Sequence, residues 1–315
     1  MRRLVRWSLA LVLAAILAFL LWPEAKAAPT GAWLRAAGLE ARVETVEGLR
    51  IRYVMAGKGP AVVLLHGFAS SIYTWKDVLP GLARTRTVVA LDFPGFGESD
   101  QPADLGFSVL PKVVRGLMDT LGVGSATVVG NSLGGAVATV LAAESPERVG
   151  ALVLIDAAGF NLNASDRPLI LRLAASPTGA ALFERLPIRG RMLRLGLRQV
   201  FYDPDLVTAE RFNEYLAPLL RPGAPASAVS LLTSRTLTPT LVAELATRVK
   251  APTLVLWGRE DAWIPVEQAD RFVAAIPGAR KIVFEACGHL PQEERPADVL
   301  RWLQEFPEGG DAVVN

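Results

Sequence analysis

The chain has 315 residues, of which 51% are hydrophobic, with 33 lysines and arginines against 31 aspartates and glutamates. This length is enough for one large α/β core with an insertion, or for two modest domains. The nearly balanced charge argues against nucleic acid as a partner, because nucleic-acid-binding surfaces carry a dominant or clustered excess of Lys and Arg.

Residues 1–27 have the pattern of an export signal. A basic lead ending at Arg6 precedes an uncharged apolar run from Trp7 to Trp22 and a small-residue stretch at 25–28. The run is slightly long for a cleaved signal peptide and slightly short for a spanning helix, so cleavage and retention as an anchor both remain open. Either outcome predicts an exported protein. It would be periplasmic if the segment is cleaved, and anchored to the membrane through this segment if it is retained. Residues 28–42 are expected to form a short tether.

From residue 43 onward the sequence alternates between strand-like and helix-like segments. Helical stretches separate most of the strand candidates, which predicts a mainly parallel eight-stranded sheet flanked by helices, with an antiparallel start. Between 161 and 249 the alternation stops, and Leu, Ala, Arg and Pro at helical spacing predict a helical cap. The core would then comprise 43–160 and 250–315. The strand candidates lie near 43–47, 51–55, 61–65, 87–91, 126–130, 151–155, 253–257 and 280–284.

The segment around Ser132 has the strongest functional pattern. A buried strand candidate runs into Gly130-Asn131-Ser132-Leu133-Gly134, which has the G-x-S-x-G spacing of a nucleophile elbow. Gly130 and Gly134 are required because a Cβ at either position would collide with the neighbouring strand or helix. A helix that begins after Ser132 points free backbone N–H groups at an oxyanion on a bound substrate.

A serine nucleophile needs a base and a carboxylate that orients the base. Of the two histidines in the chain, His289 lies just after a strand candidate, at the edge where open α/β sheets place their active sites. Asp261 follows the preceding strand candidate in the same way and is the preferred acid. Asp156, after the strand that follows the elbow, is an alternative position for this acid.

These motifs resemble the α/β-hydrolase-fold serine hydrolases over residues 45 to 306. The triad order Ser132, Asp261, His289 is the order of that family, and His66-Gly67-Phe68 resembles its oxyanion-loop turn. The resemblance implies that the backbone N–H groups of Phe68 and Leu133 hold the oxyanion. His66 is expected to be a structural residue, and Gly67 and Asn131 support the site.

The elbow sequence and the apolar leader together are similar to monoacylglycerol lipases and bacterial lipases and esterases. The resemblance implies a carboxylic-ester hydrolase that works through an acyl-enzyme on a small-molecule or lipid ester. Such a mechanism needs no cofactor. No clustered His, Cys or carboxylate spacing in the sequence resembles a metal site, and the two histidines leave few ligands for an ion.

Two other functions remain open at this level. Carbon–carbon bond hydrolases of aromatic degradation share the same elbow, although they are generally cytoplasmic and the leader argues against them. A non-catalytic ligand-binding protein of the same fold is the other alternative. Dehalogenase and epoxide-hydrolase assignments are weaker, because those relatives place an aspartate where this chain has Ser132.

The cap contains one unusual basic segment, 189–201. Its last three arginines, Arg191, Arg194 and Arg198, cluster apart from Leu193, Leu197 and Val200 on a helical projection. The helix could therefore pack its apolar side on the core with the arginines in solvent, or it could rest on anionic lipid headgroups.

Overall fold

The computed structural model describes residues 27–160, 189–234 and 239–306. The expected leader over 1–26 and the first part of the expected cap, 161–188, lie outside the described residues. In the part that is described, no helix is both long and apolar enough to cross a membrane.

The eight expected strands form one sheet with the order β1-β2-β4-β3-β5-β6-β7-β8. Strand β2 pairs antiparallel with β1 and β4, and every other pairing is parallel. The prediction of an eight-stranded, mainly parallel sheet with an antiparallel start is confirmed. The strands are β1 (Ala41–Val46), β2 (Leu49–Ala56), β3 (Ala61–Leu65), β4 (Thr87–Leu91), β5 (Ala126–Asn131), β6 (Val149–Ile155), β7 (Thr253–Gly258) and β8 (Arg280–Phe284).

Helices follow the strands as the alternating pattern predicts, and further helices lie within the expected cap. Short 3₁₀ turns occur at Ile72–Trp75, Pro146–Arg148 and Pro204–Leu206. The described helices are α1 (Ala32–Ala36), α2 (Leu79–Leu82), α3 (Val109–Thr120), α4 (Leu133–Glu144), α5 (Arg189–Val200), α6 (Ala209–Leu219), α7 (Ala224–Thr233), α8 (Pro239–Ala246), α9 (Glu267–Ala275), α10 (Pro291–Glu294) and α11 (Pro296–Glu305).

The sheet is buried on both faces, because successive residues of a strand point to opposite sides. In β3, Val63 and Leu65 join a core cluster with helices α3, α4, α8 and α9. Val62 and Leu64 of the same strand join a second cluster with α2 and α11. The β-branched, apolar strand sequences therefore build a three-layer sandwich that holds the strand ends in fixed positions.

The segment 28–42, expected to be a tether, is instead docked. Residues Ala32–Ala36 form helix α1, and Leu34 is buried against the sheet. The Ala28 N–H donates to Asn213 Oδ1 at 2.6 Å, and Asn213 Nδ2 donates to the Ala28 carbonyl at 3.1 Å. Burial of Leu34 and these contacts with the cap stabilise the segment on the fold.

Candidate active site

The sequence-predicted site residues lie on loops that leave the carboxyl ends of neighbouring strands. Parallel strands bring these ends to one edge of the sheet, where the cap helices α5 to α7 also lie. The residues concerned are His66 after β3, Ser132 after β5, Asp156 after β6, Asp261 after β7 and His289 after β8.

Ser132 sits at the sharp turn between β5 and α4 with φ 53° and ψ −116°. A Cβ on Gly130 would lie 2.2 Å from the Gly134 carbonyl oxygen, and one on Gly134 would lie 2.2 Å from the Leu65 carbonyl oxygen. Only glycine fits at these two positions. The local geometry is therefore that of the nucleophile elbow expected from the sequence.

Backbone strain is concentrated around this site. Left-handed φ values are costly for residues with a Cβ, and they persist where the surrounding structure enforces them. Of the five non-glycine residues with such values in the described ranges, four flank the edge that carries the site: Ala69, Ser132, Asp156 and Ala286.

His289 and Asp261 form a buried pair. His289 Nδ1 lies 2.7 Å from Asp261 Oδ2. The other oxygen, Oδ1, accepts from the backbone N–H groups of Trp263 at 2.7 Å and Ile264 at 2.9 Å. These donors hold the carboxylate in place, and an acceptor at Nδ1 leaves Nε2 as the basic atom of the imidazole.

Ser132 and His289 line one cavity beneath the cap. Its other walls are mostly apolar and come largely from α5, α6 and α7. One cationic side chain, Arg189, is found among the described residues that line it. The apolar wall includes Met192, Leu193, Leu197, Leu219, Val229 and Leu232.

The two backbone groups expected to form the oxyanion hole come from different loops. Phe68 lines the cavity and follows Gly67 in the loop after β3. Leu133 is the first residue of α4, where helix geometry leaves the N–H without an intrahelical partner. A Cβ on Gly67 would lie 3.1 Å from Ser132 Cβ, so this loop runs close to the nucleophile.

Asn131 connects the elbow to the histidine loop. Its Nδ2 donates to the carbonyls of Ile155 at 3.1 Å and His289 at 3.2 Å. The buried side chain therefore fixes the distance between the loops that carry Ser132 and His289. This gives the residue before the nucleophile a structural role at the site.

His66 is fully buried beneath the site, away from the described cavity walls. Its Nδ1 lies 2.7 Å from the Gly67 carbonyl, and its Nε2 accepts from the Phe93 N–H at 3.0 Å. Burial lowers the pKa of His66, although the Asp92 charge and the Gly67 carbonyl act in the opposite direction. These contacts fit a neutral ring that braces two loops.

Asp156 lies beside the Asp261–His289 pair. Ligand atoms of the three residues all lie within 4.8 Å of one another, the only such group in the described ranges that could hold a metal. The fit to an ion is poor, because three of the four carboxyl oxygens already accept N–H donors and the His289 nitrogen nearest to them is one of those donors. Burial, and after it the Asp261 carboxylate, raises the pKa of Asp156 well above its usual value.

Sequence reasoning missed Glu294, which ties the cap to the histidine loop. Its Oε1 accepts from the Gly288 N–H at 2.8 Å, and its Oε2 accepts from the Tyr202 N–H at 2.8 Å. The His289 N–H also donates to the Val200 carbonyl of α5 at 2.7 Å. An acidic pair at the start of a helix is too common a pattern to have revealed these contacts.

A second missed feature is the buried Glu293. It pairs with Arg211 Nε at 2.9 Å and accepts from Thr74 Oγ1 at 2.7 Å and from the hydroxyl of Tyr215. Burial raises the pKa of Glu293, and Arg211 offsets part of that effect. Arg211 and Tyr215 belong to α6, so this network joins the cap to the core directly.

The basic helix α5 has two different sides. Leu197 and Val200 are buried in a cluster with α6, and Met192 and Leu193 face the cavity. Arg194 stacks over the Phe212 ring at 4.2 Å, while Leu195 is 56% exposed. The apolar side of α5 therefore packs inward, as expected for a cap helix that rests on the core. Leu195 is exposed on the opposite side, beside the exposed Arg194 and Arg198.

Residues 60–296 match the protein family described as alpha/beta hydrolase fold. The 2-hydroxy-6-oxo-6-phenylhexa-2,4-dienoate hydrolase of Burkholderia cepacia is 30% identical over 287 residues, covering 84% of this chain and 93% of the relative.

Solved structures show the same similarity. A meta-cleavage product hydrolase from Pseudomonas fluorescens superposes with a TM-score of 0.72 at 28% identity, over 84% of this chain and 96% of that one. A bacterial membrane phospholipase A superposes with a TM-score of 0.68 at 27% identity, over 97% of this chain and 98% of that one. Of these three relatives, two are therefore named as dienoate or meta-cleavage product hydrolases and one as a phospholipase.

Proposed function

Because the chain belongs to the alpha/beta hydrolase fold family, we propose that it is a serine hydrolase that cleaves carboxylic esters through an acyl-enzyme. The observation that carries the proposal is the buried His289–Asp261 pair, 2.7 Å between Nδ1 and Oδ2, on the wall of the cavity that also exposes Ser132. A base, its orienting carboxylate and a strained serine are the groups that acyl transfer requires.

Each group has a separate role in the proposed reaction. Ser132 Oγ attacks the ester carbonyl while His289 Nε2 accepts its proton, and the same proton then goes to the leaving alcohol. Asp261 stabilises the imidazolium that forms. The N–H groups of Phe68 and Leu133 hold the oxyanion of the tetrahedral intermediate, and water afterwards releases the acid by the reverse sequence.

The cavity supports an apolar acyl group. Its wall beyond Ser132 is formed mainly by leucine, valine and methionine side chains of the cap. An acyl chain in contact with this wall would gain about 0.8 kcal/mol for each buried CH₂ group. We therefore infer that esters with extended acyl chains bind better than acetyl esters.

Carbon–carbon bond hydrolysis is the second candidate. It is supported by the Burkholderia cepacia dienoate hydrolase, 30% identical, and by Arg189 in the cavity wall, since a dienoate carries a carboxylate that a cation can bind. The rest of the cavity wall contributed by the cap is mainly apolar, which favours an ester with an apolar acyl chain over a charged dienoate.

A fluorophosphonate probe and a substrate panel test the proposal. We expect the probe to label the wild-type protein and not the Ser132→Ala variant, and we expect turnover of p-nitrophenyl esters to rise from acetyl to longer acyl groups. Ser108→Ala is a matched control, since Ser108 lies at the start of α3, away from the site. Folded protein that the probe does not label would indicate the non-catalytic alternative. Turnover of a 6-phenyl-dienoate with no ester turnover would favour the second candidate.

We also propose that the catalytic part lies outside the cytoplasm and stays near the membrane through residues 1–27. The similarity to the membrane phospholipase A extends over 97% of this chain, which supports this location. The chain between Trp22 and Ala28 can reach at most about 20 Å. Since Ala28 is bonded to Asn213 of α6, an anchor would hold the cap, with its cavity, close to the lipid.

A further inference from the structure

Two buried carboxyl groups lie side by side behind His289. Asp156 is completely buried and Asp261 nearly so. They come from the ends of adjacent strands, β6 and β7, and oxygen atoms of both lie within 4.8 Å of each other and of a His289 ring nitrogen. The proposed reaction uses Asp261 and leaves Asp156 without a role.

Hydrogen-bond donors are distributed unequally between the two groups. Asp261 receives two backbone N–H groups and the His289 ring. Asp156 receives one, the Gly258 N–H, 3.0 Å from Oδ1. Its Oδ2 is buried and meets no donor within the described residues. A buried carboxylate with one hydrogen bond is strongly disfavoured, whereas a protonated carboxyl has an O–H to donate.

We propose that Asp156 is a positioning residue for the triad: it remains protonated at neutral pH and donates a hydrogen bond to the Asp261 carboxylate. The inference rests on the proposed function, because Asp156 would act by holding Asp261, the carboxylate that orients His289. A proton between the two oxygens converts a contact of two acceptors into a charge-assisted hydrogen bond.

The charges around Asp156 agree with this assignment. Asp261 and Glu294 both disfavour ionisation of Asp156, and burial adds the largest effect. Cys287 is buried nearby and its pKa is raised, so it contributes a neutral thiol. One carboxylate then faces one imidazolium when His289 accepts the serine proton, and a protonated Asp156 adds no second negative charge beside the pair.

The φ of 43° at Asp156 allows an informative pair of variants. Asparagine and glycine both tolerate a left-handed backbone, so neither introduces strain. Asp156→Asn keeps an acceptor for Gly258 and an N–H donor for Asp261. Asp156→Gly removes both groups. Asp156→Leu also removes both groups and keeps out a replacement water, and thermal unfolding reports the backbone cost of a leucine at this φ.

The experiment measures kcat and KM of the full chain on a soluble short-chain ester, with thermal unfolding for each variant. We expect Asp156→Gly and Asp156→Leu to lower kcat about 10- to 100-fold with little change in KM, the range seen when supporting partners of active-site ligands are removed. Asp156→Asn should stay within about threefold of wild type, because it restores the donor. Asp104→Asn and Asp104→Gly, on an exposed loop, are matched controls.

Proton NMR gives a readout that does not depend on turnover. The proton between His289 Nδ1 and Asp261 should shift in the glycine and leucine variants and stay in place in the asparagine variant. The other histidine, His66, directs its Nδ1 to the Gly67 carbonyl and provides an internal reference.

Each outcome is decisive. Equal loss in the asparagine and glycine variants would mean that the charge of Asp156 is needed, which would overturn the proposal. Wild-type kcat and an unmoved resonance in the glycine and leucine variants would overturn it as well. A wild-type protein with no ester turnover and no fluorophosphonate labelling would contradict the proposed function instead, and the NMR comparison would still test the Asp156–Asp261 bond.

Discussion

A serine hydroxyl is a poor nucleophile at neutral pH, so the proposed chemistry requires Ser132 and His289 to act together. Asn131, which donates to the His289 carbonyl, and Asp261, which accepts from the imidazole, keep the histidine beside the elbow. The activity should therefore depend on the assembled group and not on separate contributions.

Ser132→Ala and His289→Ala should each lower kcat for an ester by about 10³-fold or more. The double variant should be only slightly slower than either single variant, because both substitutions disable the same step. Steady-state kinetics of the three proteins measure this. Multiplicative losses in the double variant would contradict a shared role.

The raised pKa of Asp156 makes a prediction about stability. Because burial and Asp261 favour the protonated form in the folded state, the folded protein holds a proton that the unfolded chain releases above about pH 3.9. Below that pH, Asp156 makes its full contribution to the free energy of unfolding. Between that pH and the folded-state pKa, the contribution falls by about 1.4 kcal/mol per pH unit.

Urea unfolding of wild type and Asp156→Asn at pH values from 4 to 8 tests that sign. The free energy of unfolding of the wild type should fall relative to that of the variant as the pH rises. A difference that does not change with pH would show that Asp156 titrates alike in both states.

At the scale of elements, helix α5 separates the cavity from the solvent. Leu193 faces the cavity, whereas Leu195, two residues on, points away from it. The buried Glu293–Arg211 pair and the Glu294 contacts fix α6 and the end of α5 to the core. Helices α5 and α6 therefore form a fixed wall whose side chains can set the acyl length.

Leu193→Trp should shift the preference of the enzyme toward shorter acyl chains, because the indole fills space that the acyl chain would occupy. Leu195→Trp on the same helix is the matched control and should leave the preference unchanged. The ratio of kcat/KM for long and short p-nitrophenyl esters measures both. An equal effect of the two variants would mean that α5 does not line the acyl site.

In the whole molecule, the first described residues of the chain lie against the cap. The hydrogen bonds between Ala28 and Asn213 hold Ala28 on α6. Any membrane attachment through residues 1–27 would thus bring the cap, and not the opposite end of the sheet, toward the lipid.

The full chain, expressed in a bacterial host, should be found outside the cytoplasm, and added protease should digest it in spheroplasts without lysis. The basic lead and apolar run of residues 1–22 are the reason. A variant that lacks residues 1–27 is the control and should stay in the cytoplasm. Protection of the full chain until the cells are lysed would contradict the export proposal.

Local patterns in the sequence were sufficient to predict the strands and the fold class. The central strands are apolar β-branched runs, β2 alternates apolar and charged residues, and Gly130 and Gly134 mark the elbow by their spacing around Ser132. The order of the triad residues along α/β-hydrolase chains pointed to Asp261 and His289, and the structure brings these two residues into contact.

The contacts between segments far apart in the chain could not be predicted, because they form when the strands and the cap assemble. Asp156 could be identified from the sequence as an alternative acid, but its position against Asp261 depends on β6 and β7 lying side by side. The docking of residues 28–42 on the cap and the ties from Glu294 to Gly288 and Tyr202 likewise join parts that no local pattern relates. Burial and pairing arise when the chain folds, so a residue's neighbours, and with them its charge state, are properties of the fold.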